Sequence, residues 1–500
     1  MNPSVNAAAP GVSSSELDFC SALDAAEAIR ARKISSLELT RYMLERIGRY
    51  NPALNAFVYQ LKDSALAAAR RADEALARNE ITGVFHGVPI QVKESFAVAG
   101  QPCTWGIRSL KDARPPQNSA AVERLLGAGA ILLGATNVPV NLADWQSYNP
   151  IYGATNNPWD LNRTPGGSSG GAAAAMAAGL GYLTVGSDIG GSIRIPSHFC
   201  GIYGHKPTQD LINQRGHQPG GAPGLAGSST LLAVAGPMAR SAKDLLAALE
   251  ILGGPEGAEA KAWKWELPQP RAQRLTDFRV GYVLDDPVAP LAPDVCAVLE
   301  RTIENLDRAG VQLKPGWPAP TGAGRFEPAT MVEAYRYMLN AVFISRSPEP
   351  VKKALRAEFE RVAGPAAAEA LGSLPYWQEQ LVRRLEFRAL WQNYFNEIDV
   401  FLSPVAFTAA FPHDHSEPQS ARRITTAAGP RNYPEVLNWM FAASLSGCPA
   451  TVAPVGRTEK ALPVGIQIMG PIWEDATPLS FADALAREFG GFSPPPGYAA

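Results

Sequence analysis

Five hundred residues, 46% hydrophobic and 18% charged, hold enough apolar material for a large globular core. A formal net charge of −2 leaves no basic surplus to grip phosphate backbones, so nucleic-acid binding is not expected. Cys20, Cys103, Cys200, Cys296 and Cys448 form no CxxC, and the close pair His413 and His415 has no Cys or carboxylate at zinc-like spacing, so neither a disulfide framework nor a metal site is expected.

Residues 1–12 read as a disordered N-terminus without a basic region leading into an apolar run, so no signal peptide is expected and the compartment reads as cytoplasmic. The low-charge stretch from Gly166 to Val185 is too rich in Gly and Ser to span a bilayer, which argues against a membrane protein. Ser35-x-x-Glu38 reads as a capping box, and Leu39, Met43 and Ile47 follow at i, i+4, i+8 on a helix. Leu61 to Asn79, Ala-rich and charged on one side, predicts a second surface helix. Short apolar runs then predict strands at residues 88–92, 130–133, 182–185, 280–283, 400–402, 450–452 and 464–468. Flanked by helical patterns, they point to a mostly buried sheet in an α/β protein. Residues 253–275, rich in Gly, Pro and Ala, read as a connection between an N-terminal half holding the chemistry and a C-terminal half. Residues 315–375 mix helices with Pro-rich turns and are expected to wall the substrate site. The organisation is read as one domain over 13–492, with a catalytic core at about 80–250 and a Pro-rich tail at 493–500.

Three segments carry candidate chemistry. Lys93 ends the apolar run Val88-Pro89-Ile90-Gln91-Val92. A buried lysine has a lowered pKa and, once neutral, is a general base; the other reading is that it emerges into solvent at the strand end. Gly166-Gly167-Ser168-Ser169-Gly170-Gly171 contains G-x-S-x-G, a nucleophile elbow if a strand precedes it. The preceding residues read as a loop, and a flexible Gly-Ser loop entering a helix at Ala172 is the alternative. In Gly186-Ser187-Asp188-Ile189-Gly190-Gly191-Ser192, successive backbone N–H groups can form an oxyanion nest ending on Ser192, or only a tight turn with an incidental serine.

Together, Lys93, Ser168, Ser192 and their flanking strings resemble the amidase signature family of Ser-Ser-Lys hydrolases. The resemblance extends through Gly201 to Thr208, Gly236 to Leu245, Gly447 to Ala450 and Leu462 to Gln467, and spans about residues 15 to 490. It implies a central mixed β-sheet covered by helices on both faces. It makes Ser192 the nucleophile, Ser168 a bridge on a cis peptide bond, and Lys93 the base acting through Ser168. Ile189, Gly190, Gly191 and Ser192 would supply oxyanion N–H groups, an acyl-enzyme would form on Ser192, and no cofactor or metal would be needed.

Thr136-Asn137-Val138-Pro139 and Asn149-Pro150-Ile151-Tyr152-Gly153 are similar to the fatty acid amide hydrolase branch, which sets Leu142 beside the serines and Trp145 facing the acyl pocket. The membrane anchor of the mammalian enzymes has no counterpart, which argues against long-chain lipid substrates. The expected ligands are small or aryl-bearing amides, with anilides, carbamates and esters as extensions; a homodimer is compatible with this reading. The competing readings are a Ser-His-Asp hydrolase using Ser168 with His413 or His415, the signature-bearing component of a tRNA-dependent amidotransferase working with partner subunits on glutamine, and a non-catalytic scaffold.

Overall fold

The computed structural model describes residues 14–221, 231–318, 326–346 and 349–499. The expected disordered segment 1–12 lies outside them. Eleven strands form one sheet: β1 (Phe57–Gln60), β2 (Pro89–Lys93), β3 (Ile131–Thr136), β4 (Leu183–Asp188), β5 (Tyr203–Lys206), β6 (Val234–Ala239), β7 (Arg279–Tyr282), β8 (Gln312–Pro315), β9 (Val400–Pro404), β10 (Ala450–Arg457) and β11 (Pro463–Met469). Their spatial order is β1-β3-β2-β4-β6-β5-β10-β11-β9-β7-β8. β2 runs parallel to both β3 and β4, whereas β4 and β6 are antiparallel, so the sheet is mixed and flanked by helices. Pairing of Ala450 with Lys206 joins the halves on either side of residues 253–275 into one continuous sheet.

All seven predicted strands are present. Of the four strands not foreseen, three (β1, β6 and β8) have weak patterns for identifiable reasons. β1 and β8 are the sheet edges and are only partly buried, so their sequences need not be apolar. β6 contains Pro237, which normally argues against a central strand. It is tolerated because pairing with β5 involves Met238 and Ala239, beyond the proline.

Helix Ser36–Leu54 opens on the predicted capping box, with Ser35 and Glu38 exchanging hydrogen bonds. The second predicted helix spans Lys62–Ala77. Helix Gly170–Ala177 is buried on every side, which its small residues permit: a Cβ on Gly171 would sit 2.4 Å from the Asn137 backbone nitrogen. This helix and β4 bring the two Gly-Ser clusters together. The C-terminal tail lies against helix Ser36–Leu54, where the Tyr498 carbonyl accepts from Arg46 at 2.8 Å. No helix among the described residues is long and apolar enough to cross a membrane.

Candidate active site

Lys93 is the last residue of β2, and its side chain is wholly buried rather than emerging into solvent. Its Nζ lies 2.6 Å from Ser168 Oγ and 3.0 Å from Ser187 Oγ. Burial pushes the Lys93 pKa well below the ordinary lysine range, and the Asp188 carboxylate only partly opposes this. The amine therefore ends a buried strand in contact with two hydroxyls.

Ser168 follows a cis Gly167–Ser168 peptide bond. Its loop is fixed from two sides. Ser147 Oγ donates to the Gly166 carbonyl and accepts from the Gly170 N–H, both at 3.0 Å. The Ser169 N–H donates to the Ser192 carbonyl at 3.1 Å, tying the two clusters together through the backbone. Residues 155–165 form turns and isolated bridges instead of a strand, so the elbow geometry of an α/β-hydrolase is lacking.

The Ser192 loop is organised by Asp188. Its carboxylate accepts from the N–H groups of Gly191 (2.9 Å), Ile193 (3.1 Å) and Arg194 (3.3 Å), and pairs with the Arg194 guanidinium at 2.8 Å. Burial alone would raise this carboxyl; Arg194 and the backbone donors outweigh it and hold the pKa at about 2. Gly191 is required here: its φ is +90°, and a Cβ would lie 2.6 Å from both Ile195 Cδ1 and Met440 Sδ. Of the four expected oxyanion donors, the Gly191 N–H is thus committed to Asp188. Those of Ile189, Gly190 and Ser192 have no partner among the described residues. Arg194→Met leaves the buried carboxylate without its cation and is expected to lower stability by about 3–5 kcal/mol, measured by urea unfolding.

Ser168, Ser187, Ser192, Ile189 and Leu142 line one cavity of about 90 Å³, closed by Trp105, His217, Val342 and Phe343. Leu142 thus shares this cavity wall with Ser168 and Ser192. Its loop is braced by Asn149, whose Nδ2 donates to Asn137 Oδ1 at 2.8 Å and to the Val138 carbonyl at 2.7 Å. Trp145 does not line this cavity; its indole N–H donates to the Gly190 carbonyl at 2.8 Å. Val342 and Phe343 come from helix Pro328–Arg346, so residues 315–375 do contribute a wall. His413 and His415 lie elsewhere: His413 Nε2 is 3.1 Å from Asn156 Oδ1, and His415 stacks on Tyr148. A larger cleft of about 200 Å³, beside Trp159 and Arg457, holds none of Lys93, Ser168, Ser187 or Ser192.

Sequence reasoning passed over Ser187 and Asp188, although both stand in the motif it singled out. The alternation of a strand gave no reason to prefer Ser187 as a lysine partner. His217, Trp105 and Phe343 come from separate segments, and only tertiary folding gathers them.

Known proteins resemble this chain in sequence and in shape. A glutamyl-tRNA(Gln) amidotransferase subunit from Chloroflexus aggregans is 32% identical, over 94% of this chain and 97% of its own length. An indoleacetamide hydrolase from Bradyrhizobium diazoefficiens is 30% identical, over 94% and 86% respectively. The crystal structure of a bacterial aryl acylamidase superposes with a TM-score of 0.78 at 24% identity, covering 94% of this chain and 96% of that one, and so shares the fold. The family model for amidases matches residues 38–479, and with it this chain belongs to the amidase family, the hydrolases and amidotransferases of the amidase signature.

Proposed function

We propose that this enzyme hydrolyses the C–N bond of uncharged, small or aryl-bearing amides through an acyl-enzyme on Ser192. The observation carrying the reading is the wholly buried amine of Lys93, 2.6 Å from Ser168 in a cavity that Ser192 also lines. Ser192 Oγ attacks the carbonyl carbon, its proton passes to Ser168, and the Ser168 proton passes to Lys93. Charge developing on the carbonyl oxygen is met by the N–H groups of Ile189, Gly190 and Ser192; the Gly191 N–H instead supports the loop through Asp188. Lys93 then returns a proton through Ser168 to the departing amine, and water releases the acid. Ser187 holds the amine from its other side.

The cavity wall supports the substrate class. Among the described residues Asp188 is its one carboxylate, and no lysine or arginine lines it; Arg194 pairs with Asp188. Among the described residues the ammonium and carboxylate of free glutamine would meet no unpaired carboxylate, lysine or arginine there, whereas Trp105, Leu142, Ile189 and Phe343 offer apolar and aromatic surface. Anilides, carbamates and esters present the same carbonyl to Ser192. The second reading, a component of a larger complex that uses glutamine beside partner chains, rests on the 32% identity to the amidotransferase protein.

The purified chain, assayed alone on anilides, alkyl amides, carbamates, esters and glutamine, is expected to turn over the uncharged members. Exclusive use of glutamine, or no turnover of any member, would overturn the proposal. Phe343→Ala widens the cavity and is expected to raise kcat/KM for bulky aryl substrates about tenfold over small alkyl amides, since a methylene-sized change in pocket fit is worth about 1–3 kcal/mol.

A further inference from the structure

The oxyanion loop carries two hydrogen bonds that its own motif does not supply. Tyr335, buried on helix Pro328–Arg346, donates its hydroxyl to the Ile189 carbonyl at 2.7 Å. Trp145, on the loop after β3, donates to the Gly190 carbonyl at 2.8 Å. Neither residue lines the cavity that holds the serines. Both act on consecutive peptide units of the segment whose N–H groups are proposed to meet the oxyanion.

A trans peptide is planar, with its C=O and N–H directed oppositely, so holding the carbonyl fixes where the N–H points. In the unit between Ile189 and Gly190, Tyr335 holds the carbonyl and the Gly190 N–H is left without a partner among the described residues. In the unit between Gly190 and Gly191, Trp145 holds the carbonyl and Asp188 accepts from the N–H, so both ends are anchored. The second unit is a fixed strut, and the first is aimed but free to donate. Glycine at 190 gives its backbone no side-chain bulk of its own to resist rotation, so an external restraint is required.

Resting on the reading of Ser192 as nucleophile, we propose that Tyr335 and Trp145 are positioning residues that clamp the carbonyls of Ile189 and Gly190 and so aim the Gly190 N–H at the developing oxyanion. Rotating a preorganised donor away from the oxyanion weakens binding of the transition state while leaving ground-state binding nearly unchanged. The clamp therefore acts on kcat and not on KM.

Tyr335→Phe keeps the ring and removes the hydroxyl; Trp145→Phe keeps an aromatic and removes the indole donor. Each is expected to lower kcat on an anilide by about 10- to 100-fold, less than the roughly 10²–10³ for outright loss of a donor, with KM within about twofold. The discriminating measurement compares a trifluoromethyl ketone analogue with the corresponding alcohol. The ketone carbon bonds to Ser192 Oγ, the hydroxyl proton passes to the Lys93 amine, and the carbonyl oxygen becomes an alkoxide facing the loop; the alcohol forms no bond. Ketone affinity is expected to fall by the same factor as kcat, and alcohol affinity to stay unchanged. Unchanged kcat in a folded variant, or equal weakening of ketone and alcohol, would overturn the clamp. Should Tyr335→Phe fail to fold, Trp145→Phe is read by the same criteria. 19F NMR of wild type beside Ser192→Ala tests the premise separately: a ketone adduct that persists in Ser192→Ala would overturn the nucleophile assignment and the clamp together.

Discussion

Ser192→Ala is expected to lower kcat by about a millionfold, because the bond that divides the reaction into acylation and deacylation can no longer form. Groups acting as one catalytic unit are grossly non-additive, and deleting a serine nucleophile alone costs about as much as deleting its whole unit, roughly 10⁶ in kcat. The residual rate would come from the N–H groups of Ile189, Gly190 and Ser192, that of Gly190 still aimed by the Tyr335 and Trp145 clamp. The fold should be unaffected. Ser192 Oγ has no hydrogen-bond partner among the described residues, and its backbone carbonyl, which accepts from Ser169, is kept by alanine. Substrate affinity should change little for the same reason. Pre-steady-state kinetics checks the assignment: wild type is expected to show a burst of amine release and the variant none. A normal burst from Ser192→Ala would place the acyl group elsewhere, Ser168 being the next hydroxyl to test.

Much of this site is legible in the sequence because its parts are local. Asp188, Gly191, Ser192 and Arg194 fall within one short string, and the aspartate closes the loop on amides only three to six residues away. The run before Lys93 is apolar because β2 pairs on both sides and is buried throughout, so a lysine ending it stands out. Trp145 shows where such reading stops. Its position predicts an aromatic near the site, and it is near, but whether its ring faces substrate or its N–H grips the Gly190 carbonyl depends on a loop shaped by Asn137 and Asn149. The committed Gly191 N–H is another case: four glycine-rich amides look equivalent in sequence, and only the carboxylate's position removes one from the set. Tyr335 was wholly illegible. It stands 146 residues from its partner on a helix whose pattern advertises nothing but packing.

Lys93→Met should separate catalysis from stability in opposite directions. The substitution keeps an unbranched side chain of similar length in a fully buried position, so packing is conserved. Loss of the base is expected to lower kcat/KM on amides by about 10⁴, the upper end for general acid–base catalysis. Esters should lose roughly tenfold less, because an alkoxide leaves with less need of the proton that Lys93 returns through Ser168. Equal losses on amides and esters would remove the acid role from Lys93. Stability should move the other way. In the unfolded chain the amine titrates near 10.4, whereas burial holds the folded value well below the ordinary range. Between those two values the unfolded chain binds one proton more than the folded one, so wild-type stability rises with pH, by up to about 1.4 kcal/mol per unit from this group alone. Below pH 10.4, therefore, Lys93 is a net burden on the fold, and Lys93→Met is expected to unfold at higher urea concentration at pH 7. The advantage should shrink as pH rises toward 10.4. Other titrating groups are common to both proteins and cancel in the difference between wild type and variant. A pH-independent difference would mean that the amine is charged in the folded state, and the proton acceptor proposed for the Ser168 relay would be lost with it.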